Sequence, residues 1–313
     1  MRTADVTAPV QGAYVELRDL IALRFPARQL KLSRRKRALN ALAGPNTSNF
    51  RSRGIDFEEV RSYQPGDDIR TIDWRVTART GDAHTKVFRE ERERPLLIVV
   101  DQRNGMFFGS THCFKSVLAA HLAGLVAWSG LDAGDRVGGL VFNDADSIEI
   151  APRRSRKNVL GILSELARFN AALPAVETGA SSTFADLLHN ARKVARPGTR
   201  VFVVSDFAGA ETEDAAQGLF QLAQHTELVG IHCADPLESN LPLAGTYAVT
   251  DGRDRSELHT ADRSLRKSFA QHVQARRDTL SSRLLRRGVP LIWASTEQAP
   301  FGVLQTYYGD TRR

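Results

Sequence analysis

Two aspartates close two runs of apolar residues. Leu96-Leu97-Ile98-Val99-Val100-Asp101 follows Pro95, and Val201-Phe202-Val203-Val204-Ser205-Asp206 repeats the same grammar. A short, β-branched-rich run that is apolar on both faces reads as a buried strand of a parallel sheet covered by helices. Open α/β sheets form their ligand crevices at the carboxyl ends of such strands. The two carboxylates are therefore placed to meet in one crevice, where they need a counter-charge from a cation or an arginine. The plainer reading is that each Asp only caps the helix that follows. Two strands with the same ending favour a shared site.

A second concentration of chemistry lies between Gly54 and Arg79. Arg61, Asp67, Asp68, Arg70, Asp73, Arg75 and Arg79 mix both signs of charge, with Tyr63 and Trp74 interleaved and Pro65-Gly66 marking a turn. Such a run fits a knot of ion pairs, a docking surface, a solvated turn, or catalytic carboxylates of a metal-dependent hydrolase. The third group is basic: Arg28, Lys31, Arg34, Arg35, Lys36 and Arg37, with Arg51 and Arg53 beyond. These could neutralise phosphates, but no aromatic residues are interleaved to stack on bases. A solvated face or contact with an acidic protein is the preferred reading over a nucleic-acid-binding module. His112-Cys113 and His232-Cys233 lack the spacing of a zinc site and read as core. No Walker A loop, nucleophile elbow or His-Glu-x-x-His motif occurs.

The elements that must position these residues follow from periodicity. Three parts are expected: a helical basic arm and linker over 1–53, a β-rich attachment over 54–94, and a main α/β domain over 95–313. Within the last, strands at 95–101, 136–142, 200–205 and 228–232 alternate with helices near 112–131, 155–169, 183–195 and 212–225. Ser147–Ile150 is expected to pair with the strand before it. A polar connection over 235–260 leads to a long basic helix at 261–287 and a last strand at 289–294, where Pro290 favours a sheet edge. The net charge of +7 is modest over 313 residues and gives little support to an anionic partner. Two cysteines are too few for a disulfide framework, which favours a reducing cytoplasm. The longest apolar stretch, Val117–Leu131, is interrupted by His121 and is shorter than the roughly 20 residues of a membrane span.

Arg61-Ser62-Tyr63-Gln64-Pro65-Gly66-Asp67-Asp68-Ile69-Arg70, followed by Ile72-Asp73-Trp74, Ala78-Arg79 and the strand ending in Asp101, resembles domain-of-unknown-function family 58, von Willebrand factor A-like proteins associated with MoxR-type AAA+ ATPases. The likeness runs over roughly 40–310. It implies a Rossmann-like von Willebrand A domain, mostly parallel, with an insertion before its first strand. It also implies a metal-ion-dependent adhesion site, in which an Asp-x-Ser-x-Ser motif, a Thr and a second Asp surround Mg²⁺. Asp101, Thr183 and Asp206 fall at matching places, but Arg103 and Gly105 stand where the two serines belong. The implied site is thus degenerate, with Mg²⁺ held weakly or not at all and Arg103 offsetting the carboxylates. Asn104 and Ser110 are the hydroxyl or amide groups nearby that would compensate. By the same resemblance the chain is expected to be a non-enzymatic adaptor that works with a MoxR-type AAA+ ATPase on a client protein. Arg61, Tyr63, Pro65, Gly66, Asp67, Asp68, Arg70, Asp73, Trp74 and Arg79 are its expected docking motif. A hydrolase using Asp67, Asp68 and Asp73, or a basic nucleic-acid-binding module, is the alternative.

Overall fold

The structure, a computed structural model, describes residues 7–32, 60–63, 72, 74–86, 95–173, 182–250 and 255–309. They fall into two units, one spanning 44–93 and the other the rest of the chain. In the larger unit, the first helices are α1 (Leu17–Ala22) and α2 (Arg24–Ala27). Their apolar residues are spent on packing: Leu20, Ala27, Leu30 and Leu32 are buried in the main core. The backbone of this segment is also tied down. Trp128 Nε1 donates to Leu20 O at 3.0 Å, and Ser129 Oγ donates to Leu30 O at 3.0 Å. Of the basic cluster, Arg28 lies 3.8 Å from Asp132 with both side chains exposed, a pairing worth little in water. Arg34, Arg35, Lys36, Arg37, Arg51 and Arg53 lie outside the described residues.

The smaller unit contains a short antiparallel pair, β1 (Val60–Ser62) with β2 (His84–Lys86), and the helix α3 (Trp74–Thr80) between them in sequence. Thr77 Oγ1 accepts from His84 N at 3.1 Å, which ties the helix to the strand.

The larger unit then runs β3 (Pro95–Asp101), α4 (Lys115–Asp132), β4 (Arg136–Phe142), β5 (Ser147–Arg153), α5 (Arg156–Ala172), α6 (Phe184–Val194), β6 (Arg200–Ser205), α7 (Glu213–His225) and β7 (Glu227–Ala234). A hairpin of β8 (Thr246–Thr250) and β9 (Arg255–His259), the long α8 (Arg263–Arg286), β10 (Leu291–Ser295) and α9 (Pro300–Tyr308) complete it. Six strands form one sheet in the order β10-β7-β6-β3-β4-β5, parallel except for β5, which pairs antiparallel with β4. The fold is therefore mixed α/β, with a mostly parallel sheet between helices.

Alternation along β3 shows how the sheet is buried. Leu96, Ile98 and Val100 join one core, and Leu97 and Val99 the other. The first core is closed by α4, which is buried from Lys115 to Gly130 and so needs no polar face. The second is closed by α6, α7 and part of α8. Strand order reverses at β3: the chain builds outward through β4 and β5, then returns to β6 on the other side. The helices after β3 and β6 leave on opposite faces, which opens a crevice between the two strand ends. Pro290 does precede an edge strand. Within 235–260, however, the polar connection contains the β8–β9 hairpin, and α9 follows the last strand.

Candidate functional site

Asp101 is the last residue of β3 and is fully buried. Four donors surround its carboxylate. The Arg103 backbone N–H reaches Oδ1 at 2.9 Å, Arg103 Nε reaches Oδ1 at 3.1 Å, Arg103 Nη2 reaches Oδ2 at 2.7 Å, and Ser205 Oγ, from the end of β6, reaches Oδ2 at 2.6 Å. This is a bidentate arginine–carboxylate pair, the strongest neutralising geometry a side chain offers. Arg103 Nη2 also donates to Ala208 O at 3.2 Å, on the loop after β6.

Asp206 follows β6 directly. Its Oδ1 accepts from Ala208 N at 3.0 Å and lies 3.9 Å from Arg103 Nη2, while its Oδ2 accepts from Lys115 Nζ at 3.0 Å. The turn that aims it is strained: Phe207 has φ of 56°, a left-handed value unusual for an aromatic residue. The strain is held by the Phe207 N–H bonded to Ser205 Oγ at 2.9 Å and by its ring, 5.4 Å from Phe184 and 5.8 Å from His232. Lys115, the first residue of α4, is buried and also donates to Glu238 Oε1. Charges thus alternate along Asp101, Arg103, Asp206, Lys115 and Glu238.

Ionisation follows from this order. Burial pushes the Asp206 carboxyl up, but the Lys115 ammonium and the Ala208 N–H outweigh it and hold the group below the usual carboxylate range. Burial also opposes the charges of Lys115 and Arg103, and their carboxylate neighbours again prevail, raising both. At Asp101 burial pushes upward and Arg103 pulls back, with burial the larger effect.

Outside this chain of charges the crevice opens as a cleft of about 440 Å³, lined among others by Arg103, Gly105, Asp144, Thr183, Asp206 and Thr212. Thr183 is engaged as the N-cap of α6. Its hydroxyl accepts from Asp186 N at 3.1 Å while Asp186 Oδ2 accepts from the Thr183 backbone N–H at 2.9 Å, a reciprocal capping box, and the hydroxyl also donates to Asp186 Oδ2 at 2.7 Å. Asn104 presents its backbone N–H to Asp144 Oδ2 at 2.6 Å. Gly105 sits beside Asp206, and a Cβ there would lie 3.5 Å from Oδ2. Ser110 belongs to another cluster, donating to Asp235 Oδ1 at 2.5 Å beside Thr296. Of the charged motif, Tyr63 N bonds Ala83 O at 2.8 Å, Arg61 lies in β1, Arg79 in the last turn of α3, and Trp74 is 68% exposed. Pro65, Gly66, Asp67, Asp68, Arg70 and Asp73 lie outside the described residues.

Sequence reasoning passed over Lys115, Glu238, Ser205 and Asp144. A lone lysine opening an otherwise apolar helix was a signal for Lys115. Asp235-Pro236-Leu237-Glu238 is a capping-box pattern that marks Glu238, and the structure forms that box.

The Mg²⁺ implied by resemblance can be tested against these donors. A hard cation needs several free oxygens in octahedral array. Both oxygens of Asp101 are taken up by Arg103 and Ser205, Asp206 is bonded to Lys115, the Thr183 hydroxyl is held by Asp186, and positions 103 and 105 bring a guanidinium and no side chain. The residues do not fit the ion.

Fold and crevice together define an open, doubly wound α/β protein whose switch-point site is filled with paired charges. The chain belongs to the family described as "Protein of unknown function DUF58", which matches residues 59–279. It is 27% identical over 287 residues to the uncharacterized protein Rv1480 of Mycobacterium tuberculosis (strain H37Rv), covering 91% of this chain and 89% of that one. The same identity and coverage hold for the uncharacterized protein Mb1516 of Mycobacterium bovis. Among solved structures it is similar to the conserved hypothetical protein BatB from Bacteroides thetaiotaomicron, with 14% identity, a TM-score of 0.35, and 62% of this chain and 98% of that one covered. An aerotolerance-related membrane protein from Bacteroides fragilis gives 14% identity and a TM-score of 0.39, covering 68% of this chain and 98% of that one. No helix among the described residues is long and apolar enough to cross a membrane.

Proposed function

We propose that the chain is a non-enzymatic, von Willebrand A-like adaptor that works with a MoxR-type AAA+ ATPase in the maturation or assembly of client proteins. The class of partner is drawn from the resemblance of the Arg61–Arg79 motif. One observation on the crevice supports the adaptor reading: each of its two strand-end carboxylates is engaged by a fixed cation, Asp101 by Arg103 and Asp206 by Lys115. A carboxylate so engaged is a poor general base, because its lone pairs are committed to the resident donors and are not open to a substrate proton. Trp74, 68% exposed in the motif, is the side chain best suited to anchor a partner.

The test is a titration of the purified chain with a purified MoxR-type ATPase, with and without a chelator in the absence of nucleotide. The expected result is a complex of equal affinity in both conditions, weakened about thirtyfold by Trp74→Ala, the size of a typical interface anchor. Absence of a complex, or a hydrolytic turnover by the chain that a chelator abolishes, would overturn the reading.

A further inference from the structure

We infer that Arg103 and Lys115 act as a pair in place of the divalent cation, two fixed single charges supplying the double charge that the crevice carboxylates require. Each cation takes one carboxylate: Arg103 Nη2 stands 2.7 Å from Asp101 Oδ2, and Lys115 Nζ stands 3.0 Å from Asp206 Oδ2. Neither is a mobile surface charge, since the two side chains are 12% and 2% exposed. They are independent in origin as well: Arg103 rides on the loop after β3 and Lys115 opens α4.

The placing of Lys115 needs this explanation. A cation in the first turn of a helix opposes the helix dipole, and burying it opposes solvation. Both costs are offset only because Asp206 and Glu238 accept from the same ammonium. Lys115 therefore occupies Asp206 whether or not Arg103 is present. Restoring hydroxyls at positions 103 and 105 gives only a weak metal site, because one resident cation remains beside the second carboxylate.

This inference concerns the crevice of the isolated chain and does not depend on any partner. It is tested by thermal melting and Mn²⁺ calorimetry on the full chain and three variants: Lys115→Met, Arg103→Ser with Gly105→Ser, and the triple combination. Millimolar Mg²⁺ is expected to leave the melting temperatures of the unaltered chain and of Lys115→Met unchanged, since Arg103 still holds Asp101, and to raise that of the triple combination. The triple variant is expected to bind Mn²⁺ at least about thirtyfold more tightly than the double variant. That is the repulsion between a divalent and a single charge about 4 Å apart, even at the dielectric of water. If Lys115→Met melts too low to study, Lys115→Gln, which keeps a donor, serves for the same comparison. Equal Mn²⁺ affinity in the double and triple variants, or a triple variant whose melting ignores Mg²⁺, would overturn the pairing. So would saturable Mg²⁺ binding by the unaltered chain.

Discussion

At the end of β3 a carboxylate with no solvent exposure faces a guanidinium that is itself only 12% exposed, so removing either leaves the other stranded. Arg103→Met is expected to destabilise the fold by about 3–5 kcal/mol, read as a shift of the urea midpoint at constant slope. His232 offers a separate test of burial. It packs between the Phe207 and Trp293 rings, at 5.8 Å and 4.3 Å, and its Nδ1 has no hydrogen-bond partner among the described residues. Burial, opposed by Asp206 and reinforced by Lys115 and Arg277, pushes its pKa down to about 3. The unfolded chain protonates this group near pH 6.5 and the folded chain does not, so its contribution to stability is lost as pH falls from about 6.5 towards about 3. Between pH 7 and pH 5 the unaltered protein should lose about 2 kcal/mol more than His232→Phe, which keeps the stacked ring. Asp101 and Asp206 could be read from the sequence because a strand ending in Asp is a local pattern. Lys115 and Glu238 could not be joined to them, since 123 positions separate the two and only the fold brings them together.

Elements set the aim of these side chains. Thr183 caps α6 and sits at the rim of the cleft, so Thr183→Ala should cost about 1 kcal/mol in urea unfolding while Thr183→Ser keeps most of it. A residue needed as a metal ligand would behave differently, because its loss would alter Mn²⁺ binding more than stability. The loop that carries Arg103 is closed by Gly109, where a Cβ would come within 2.2 Å of Cys113 O. Gly109→Ala must therefore displace backbone, and a loss of about 1–3 kcal/mol is expected from the same unfolding curves. Sequence periodicity located β3, β6, α4, α6 and α7 because their apolar patterns are strong and long. The β8–β9 hairpin escaped because Thr246–Thr250 and Arg255–His259 are short and mostly polar. A helical arm over 1–53 was expected, but the burial of its Leu20 and Leu30 beside Trp128 and Ser129 of α4 was not. An amphipathic face says that something will cover it and not what.

Across the whole molecule, one topological fact joins the sequence to the crevice. The sheet starts in its middle, at β3, and reverses direction there, so Asp101 and Asp206 close neighbouring strands although they stand 105 positions apart in the sequence. Sequence reading found both strands and placed the proline-marked last strand at an edge, but the order of the sheet is a long-range property that spacing does not encode. The site that results is crowded with its own cations. Its two strand-end carboxylates are each offset by a resident cation whatever the ionic composition around them. Calorimetric titration of the unaltered chain with Mg²⁺ and Mn²⁺, beside the Arg103→Ser, Gly105→Ser variant, tests this most directly. The expected result is no saturable binding by the unaltered chain at millimolar ion, and weak but measurable binding once the guanidinium is gone. Tight one-site binding by the unaltered chain, abolished by Asp206→Ala, would contradict it.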